Sequence, residues 1–84
     1  MNTSENLIIE QLIHIFRDVF DDEDLVIGAP TSAEDVDGWD SLANIRLMIS
    51  IEKVLGIQFS AAEISGLNNV GEMARLILKK QAGI

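Results

Sequence analysis

Gly38-Trp39-Asp40-Ser41-Leu42 stands at the head of an apolar stretch that runs to Leu55, directly behind a strongly acidic segment. Asp40 has the short acceptor side chain that helix starts favour, and the apolar residues after it recur at helical spacing. Asp40 therefore reads as the N-cap and Ser41 as the first residue inside. A serine there keeps its hydroxyl free of the capping bond and points it off the helix end. Serine is also common at helix starts simply because it starts helices. Spacing alone thus leaves two readings open, a helix initiator or a hydroxyl offered to an outside enzyme.

Working outward, the helix over about 41–55 carries Leu42, Ile45, Leu47, Met48, Ile49, Ile51, Val54 and Leu55, more apolar positions than one buried stripe needs. Leu47, Ile51 and Leu55, with Met48 and Val54 beside them, are expected to face the core. Ile45 and Ile49 are left on a flank near Ser41, and Gly56 ends the helix. Upstream, Thr3 or Ser4 can cap a helix over about 4–20 in which Ile8, Ile9, Leu12, Ile13, Phe16, Val19 and Phe20 form one stripe. Asp21-Asp22-Glu23-Asp24 stops that pattern. Gly28, Pro30 and Ser32 keep the linker over 21–39 irregular, with Leu25, Val26 and Ile27 tucked inward; long loops in small domains are commonly functional.

Downstream, Ser60 and Glu63 form a capping box for a short helix over about 60–66, containing Ile64 and closed by Gly66. Asn69 and Glu72 repeat the arrangement for a helix over about 69–81, whose inner face is Val70, Met73, Ala74 and Ile77. Lys79 and Lys80 oppose the dipole in its last turn. With no internal repeat or second domain, residues 1–84 are expected to be one all-α domain: a small four-helix bundle, third helix short, with a long loop between helices one and two.

Composition narrows the function. The chain is 48% hydrophobic but only 5% aromatic, so its core is Ile, Leu, Val and Met. Its 14 acids against 6 basic residues give a formal charge of -8, which argues against nucleic acid and anionic membranes and for a basic partner. The charge is uneven, eleven acids facing Arg17 alone in residues 1 to 40, and three acids facing Arg46, Lys53, Arg75, Lys79 and Lys80 in the remainder. There is no cysteine, so any working thiol must be added. No basic leader or bilayer-length apolar run is evident, so cytoplasmic residence and no membrane insertion are the expectation, as a monomer.

Independent catalysis is not expected. A nucleophilic serine needs an adjacent base, and the sole histidine, His14, lies on the first helix; the Gly-x-Ser-x-Gly elbow is also missing. The acidic run Asp35-Val36-Asp37-Gly38-Trp39-Asp40 invites a calcium reading. An EF-hand begun at Asp35 would need glycine where Asp40 stands and glutamate where Arg46 stands, so no metal site is assigned. A loose ion site and a small calcium-binding protein stay as alternatives. Trp39 reads first as packing for the loop and second as a contact for partners.

The Asp40-Ser41-Leu42 motif, with Gly38-Trp39 before it, the Leu47/Ile51 helix behind it and Gly56-Ile57 beyond, resembles the acyl carrier protein family. The resemblance extends through Ser60-Ala61-Ala62-Glu63 and Asn69-Val70-Gly71-Glu72, and is looser in the first helix. It implies that Ser41 bears a 4′-phosphopantetheine arm taken from coenzyme A by a phosphopantetheinyl transferase. The thiol of that arm would hold acyl groups for acyl-loading and acyl-transfer enzymes of a fatty-acid, lipid or polyketide-like pathway. The implied role is a non-catalytic carrier, with Asp40, Leu42, Ile45, Arg46, Ile49 and Trp39 as partner-recognition residues. An aminoacyl carrier and an unmodified helical interaction module are the other readings. The chain departs from the fatty-acid type in the helix after the serine, where acids are usual: here Glu52 is the lone acid and Arg46 takes a position usually held by glutamate. A dedicated, specialised pathway is the expectation that follows.

Overall fold

The computed structural model describes residues 3 to 82. Four helices follow one another, α1 (Thr3–Val19), α2 (Ser41–Leu55), α3 (Ala61–Gly66) and α4 (Val70–Gln81), with one 3-10 turn, Ala33–Asp35, in the long linker. No strand occurs among the described residues. α1 packs on both α2 and α4, and α3 leans on α2.

The core follows the helical periodicities. Ile8, Leu12, Ile15 and Phe16 of α1 meet Leu47, Met48 and Ile51 of α2 and Val70, Met73, Ala74 and Ile77 of α4, all buried. Each fully buried large aliphatic or aromatic side chain contributes about 1.5–3 kcal/mol over exposure. Ile15 belongs to this set although the sequence stripe omitted it; the buried face of α1 is rotated towards it, leaving Ile9 and Ile13 only partly covered. Val54 is a correction. Expected beside the core, it is 65% exposed, because it sits at the edge of the buried sector in the last turn of α2, where no element covers it. The position preceding α1, where a cap would sit, lies outside the described residues, and Ser4 is inside the helix.

Helix ends are set by side-chain chemistry. Asp21 adopts the left-handed conformation (φ 51°), which aspartate tolerates better than most residues, and Asp22 N donates back to Arg17 O at 3.0 Å. Gly56 plays that part for α2 with φ 68°. Ser60 and Glu63 form a complete capping box, with Ser60 N donating to Glu63 Oε1 at 2.8 Å and Glu63 N to Ser60 Oγ at 3.1 Å. The Ser60 N–H, and secondly Lys80 2.9 Å away, hold the Glu63 carboxyl below the ordinary glutamate range. The stabilisation this brings is fully present above the ordinary glutamate value and is lost progressively as pH falls from there through the lowered one. At α4 the expected box is half made. Asn69 Oδ1 accepts from Glu72 N at 2.8 Å, but the Glu72 carboxylate reaches past Asn69 to Asn68 N at 3.1 Å.

The linker is stitched down by a few bonds. Ile27 and Val36 insert into the core and Leu25 is half-buried, while Val26, expected inside, is 79% exposed. Successive side chains alternate in a segment without helical turns, so Leu25 and Ile27 take the inner side and Val26 the outer. Arg17 Nε donates to Leu25 O at 2.9 Å. Val70 N and Gly71 N donate to Thr31 O and Ala29 O at 2.9 and 2.8 Å, tying the linker to the start of α4. Gly71 allows that approach: a Cβ there would come within 3.1 Å of Ala29 O.

Candidate functional site

The bend before α2 is built by a glycine and a buried valine. Gly38 turns left-handed (φ 85°), Trp39 N donates to Val36 O at 3.2 Å and Asp40 N to Gly38 O at 2.9 Å. Asp40 is then extended (φ -102°, ψ -171°), and its Oδ1 accepts from Ala43 N at 2.8 Å. The aspartate thus performs the cap. Ser41 opens the helix exposed, and its hydroxyl makes no hydrogen bond among the described residues. Replacing Asp40 by alanine is expected to cost about 1 kcal/mol, a fall of about 4–8 °C in thermal midpoint for a domain of this size. Asp40→Asn, which retains the acceptor, should stay close to wild type; equal losses in the two variants would show that charge, not capping, is what Asp40 supplies.

Trp39 couples this bend to the core. Its ring meets Phe16 edge-on, centroids 5.1 Å apart at 83°, with Phe20 at 6.4 Å, and its Nε1 donates to Asn44 Oδ1 on α2 at 3.0 Å. Such aromatic pairs add about 0.5–1.5 kcal/mol beyond area burial. The indole also borders an open cleft of about 540 Å³ between the start of α2 and the α3 segment. Ser41, Asn44, Ile45, Ile64 and Leu67 line it, with Ser65 and Asn68 adding polar groups. No histidine or lysine stands in that lining. Ser65 is a second hydroxyl there, but its Oγ donates to Ala61 O at 3.0 Å.

The other candidate residues lie along α2 and in the loop before it, away from the cleft except for Ile45. Leu42, Ile45 and Ile49 are exposed at 69%, 50% and 46%, and Arg46 is exposed beside them. Glu52 is withdrawn from recognition: its Oε2 accepts from Phe59 N at 2.8 Å. His14 is exposed on α1. In the acidic run, Asp35 Oδ2 accepts from Ser32 N at 2.9 Å and Asp40 caps α2. Among the described residues no three acids or histidines converge on a point where an ion could sit. The cleft was not legible in the sequence, since α3 and the 67–68 turn reach the start of α2 only through tertiary packing.

The family model for the phosphopantetheine attachment site matches residues 10–77. A holo acyl carrier protein from Geobacter metallireducens, solved by solution NMR, is 44% identical and superposes with a TM-score of 0.82, over 88% of this chain and 85% of that one. This chain belongs to the acyl carrier protein family. No curated protein sequence matches it. Acyl carrier proteins are in general non-catalytic and work with a phosphopantetheinyl transferase and the enzymes of their pathway, and their prosthetic group is 4′-phosphopantetheine. The carrier's own geometry fits that group. A hydroxyl that is exposed, with no hydrogen bond among the described residues, stands at a helix N-terminus, where the dipole favours a phosphate, and an open cleft adjoins it. The group supplies a thiol on a flexible tether, which this cysteine-free chain lacks. No helix among the described residues is long and apolar enough to cross a membrane.

Proposed function

We propose that this carrier holds its 4′-phosphopantetheine on Ser41 and ferries acyl thioesters between the enzymes of a specialised lipid or polyketide-like pathway. The observation that carries the reading is the division of labour at the start of α2: Asp40 takes the capping bond from Ala43 N, and Ser41 is left exposed with no bond to its Oγ among the described residues. In the loading step Ser41 Oγ attacks the phosphorus that carries the pantetheine half of coenzyme A. The new bond is Oγ–P, the P–O bond to the adenosine bisphosphate half breaks, and the serine proton passes to a base of the transferase. A magnesium ion brought with coenzyme A would offset the charge on the 5′-phosphate of the departing adenosine bisphosphate. The chain itself positions the hydroxyl and supplies no base, in keeping with a cleft lining free of histidine.

Residues 1–84 act in this reading as one monomeric, cytoplasmic carrier domain. Asp40, Leu42, Ile45, Arg46, Ile49 and Trp39 form the margin that partner enzymes meet. A tethered substrate raises its own effective concentration at each docked enzyme, so transport and not bond-making is the task. Incubating the purified chain with coenzyme A, magnesium and a broad-specificity phosphopantetheinyl transferase should give an intact mass greater by one phosphopantetheine. A mass that stays unchanged under conditions that load a control carrier would leave an unmodified interaction module as the better description.

A further inference from the structure

α2 turns a face to solvent whose chemistry differs from the rest of the surface. Counted from Leu42, the residues Ile45, Arg46, Ile49 and Lys53 fall three, four, seven and eleven positions on, which puts all five on one side of the helix. All five are exposed. Neither Arg46 nor Lys53 has an ion-pair partner among the described residues, whereas Arg75 pairs with Glu5 and Lys80 with Glu63. Glu52 borders this strip three residues after Ile49, but it is half-buried and its carboxylate is spent on Phe59 N. On a chain of net charge -8, the exposed residues of the strip therefore carry two positive charges and no negative one.

Resting on the carrier reading, we propose that this strip docks a partner protein whose contact surface is apolar and bordered by carboxylates. Three exposed aliphatic side chains rimmed by charge mark a protein contact, and the charges select its chemistry. A basic patch would set like charges against Arg46 and Lys53, a repulsion that suppresses wrong partners, while carboxylates would pair with both. An anionic lipid surface carries the same sign, but as an extended plane it opposes the whole acidic molecule, whereas a protein rim presents its carboxylates only at the strip. The acid-rich first half of the chain then repels the partner at long range, so recognition is local, inside a Debye length of about 8 Å at physiological salt.

Two helical peptides with the same leucine stripe, one flanked by glutamates and one by lysines, distinguish these cases when titrated into the full unmodified chain with backbone amide signals followed by NMR. The glutamate peptide is expected to shift the signals of residues 42 to 53, and Arg46→Glu with Lys53→Glu to weaken it about tenfold. Removing both charges with Arg46→Gln and Lys53→Gln should give a smaller loss of the same sign. Equal or tighter binding of the lysine peptide on this face overturns the proposal, as does a wild-type chain on which neither peptide moves those signals. Concentration-dependent shifts without peptide would reassign the strip to a second copy of the chain, and shifts with phosphatidylglycerol vesicles alone would reassign it to a lipid surface; either overturns it. The titration uses no prosthetic group. Its failure therefore leaves the loading result standing, and a failure to load leaves the titration readable.

Discussion

Ser41→Ala is expected to take up no phosphopantetheine at all, while folding as the wild type does. The loss is complete because the hydroxyl oxygen is the atom that becomes bonded to phosphorus, and no neighbouring group can replace it. Ser65 is the natural competitor, lining the same cleft, but its hydroxyl is held by Ala61 O at 3.0 Å. Ser65→Ala should accordingly load like the wild type. Folding is preserved because Ser41 is exposed, makes no hydrogen bond among the described residues, and leaves the cap to Asp40. Surface changes of this kind stay within about 0.5 kcal/mol, and alanine is the stronger helix former. Intact mass after transferase treatment reads the first effect, and thermal denaturation the second. Undiminished loading of Ser41→Ala would move the attachment point elsewhere; a variant that unfolds would mean the hydroxyl serves the bundle.

Phe16→Ala is expected to lose a large share of the stability of the domain. Phe16, on α1, is fully buried against the rings of Phe20 and Trp39. Truncating a buried phenylalanine costs about 3–5 kcal/mol, the removed surface plus the cavity left behind. At roughly 0.05–0.15 kcal/mol per residue, a domain of this length holds only about 4–13 kcal/mol in total. Urea unfolding followed by circular dichroism gives the loss. Trp39 gives its local meaning, because the sole tryptophan sits on Phe16: its emission should shift to the red in the variant, before any denaturant is added. Leu7→Ala, on the exposed side of the same helix, should change neither signal. A Phe16→Ala midpoint near that of the wild type, with unaltered emission, would show that the loop is not anchored through this ring.

Where local chemistry decides, the residues are readable one at a time. Asp40, Ser60 and Asn69 are caps because each short side chain meets an N–H three residues ahead, and Gly56 ends α2 because it enters the left-handed region without penalty. The inner faces of α1 and α4 follow from spacing, since residues three and four apart share one side. Glu72 escaped such reasoning: whether its carboxylate returns to residue 69 or 68 depends on the entry angle of the chain, which packing sets. Val26 and Val54 are hydrophobic and yet exposed, because hydrophobicity states a preference for burial but does not guarantee a neighbour to provide it.

By itself the sequence placed Asp40 as the cap and Ser41 as the first residue of an apolar helix, in an acidic, cysteine-free, all-helical chain. Capping and periodicity are local, and residues within a few positions of one another settle them. Tertiary structure alone decided that Trp39 is shared between Phe16 and Asn44, that Val36 joins Ile27 in pinning the linker, and that Ile64 and Leu67 line a cleft beside Ser41. Those contacts join residues distant along the chain, and their partners are fixed only when whole helices pack, through shape and buried area that no short stretch encodes.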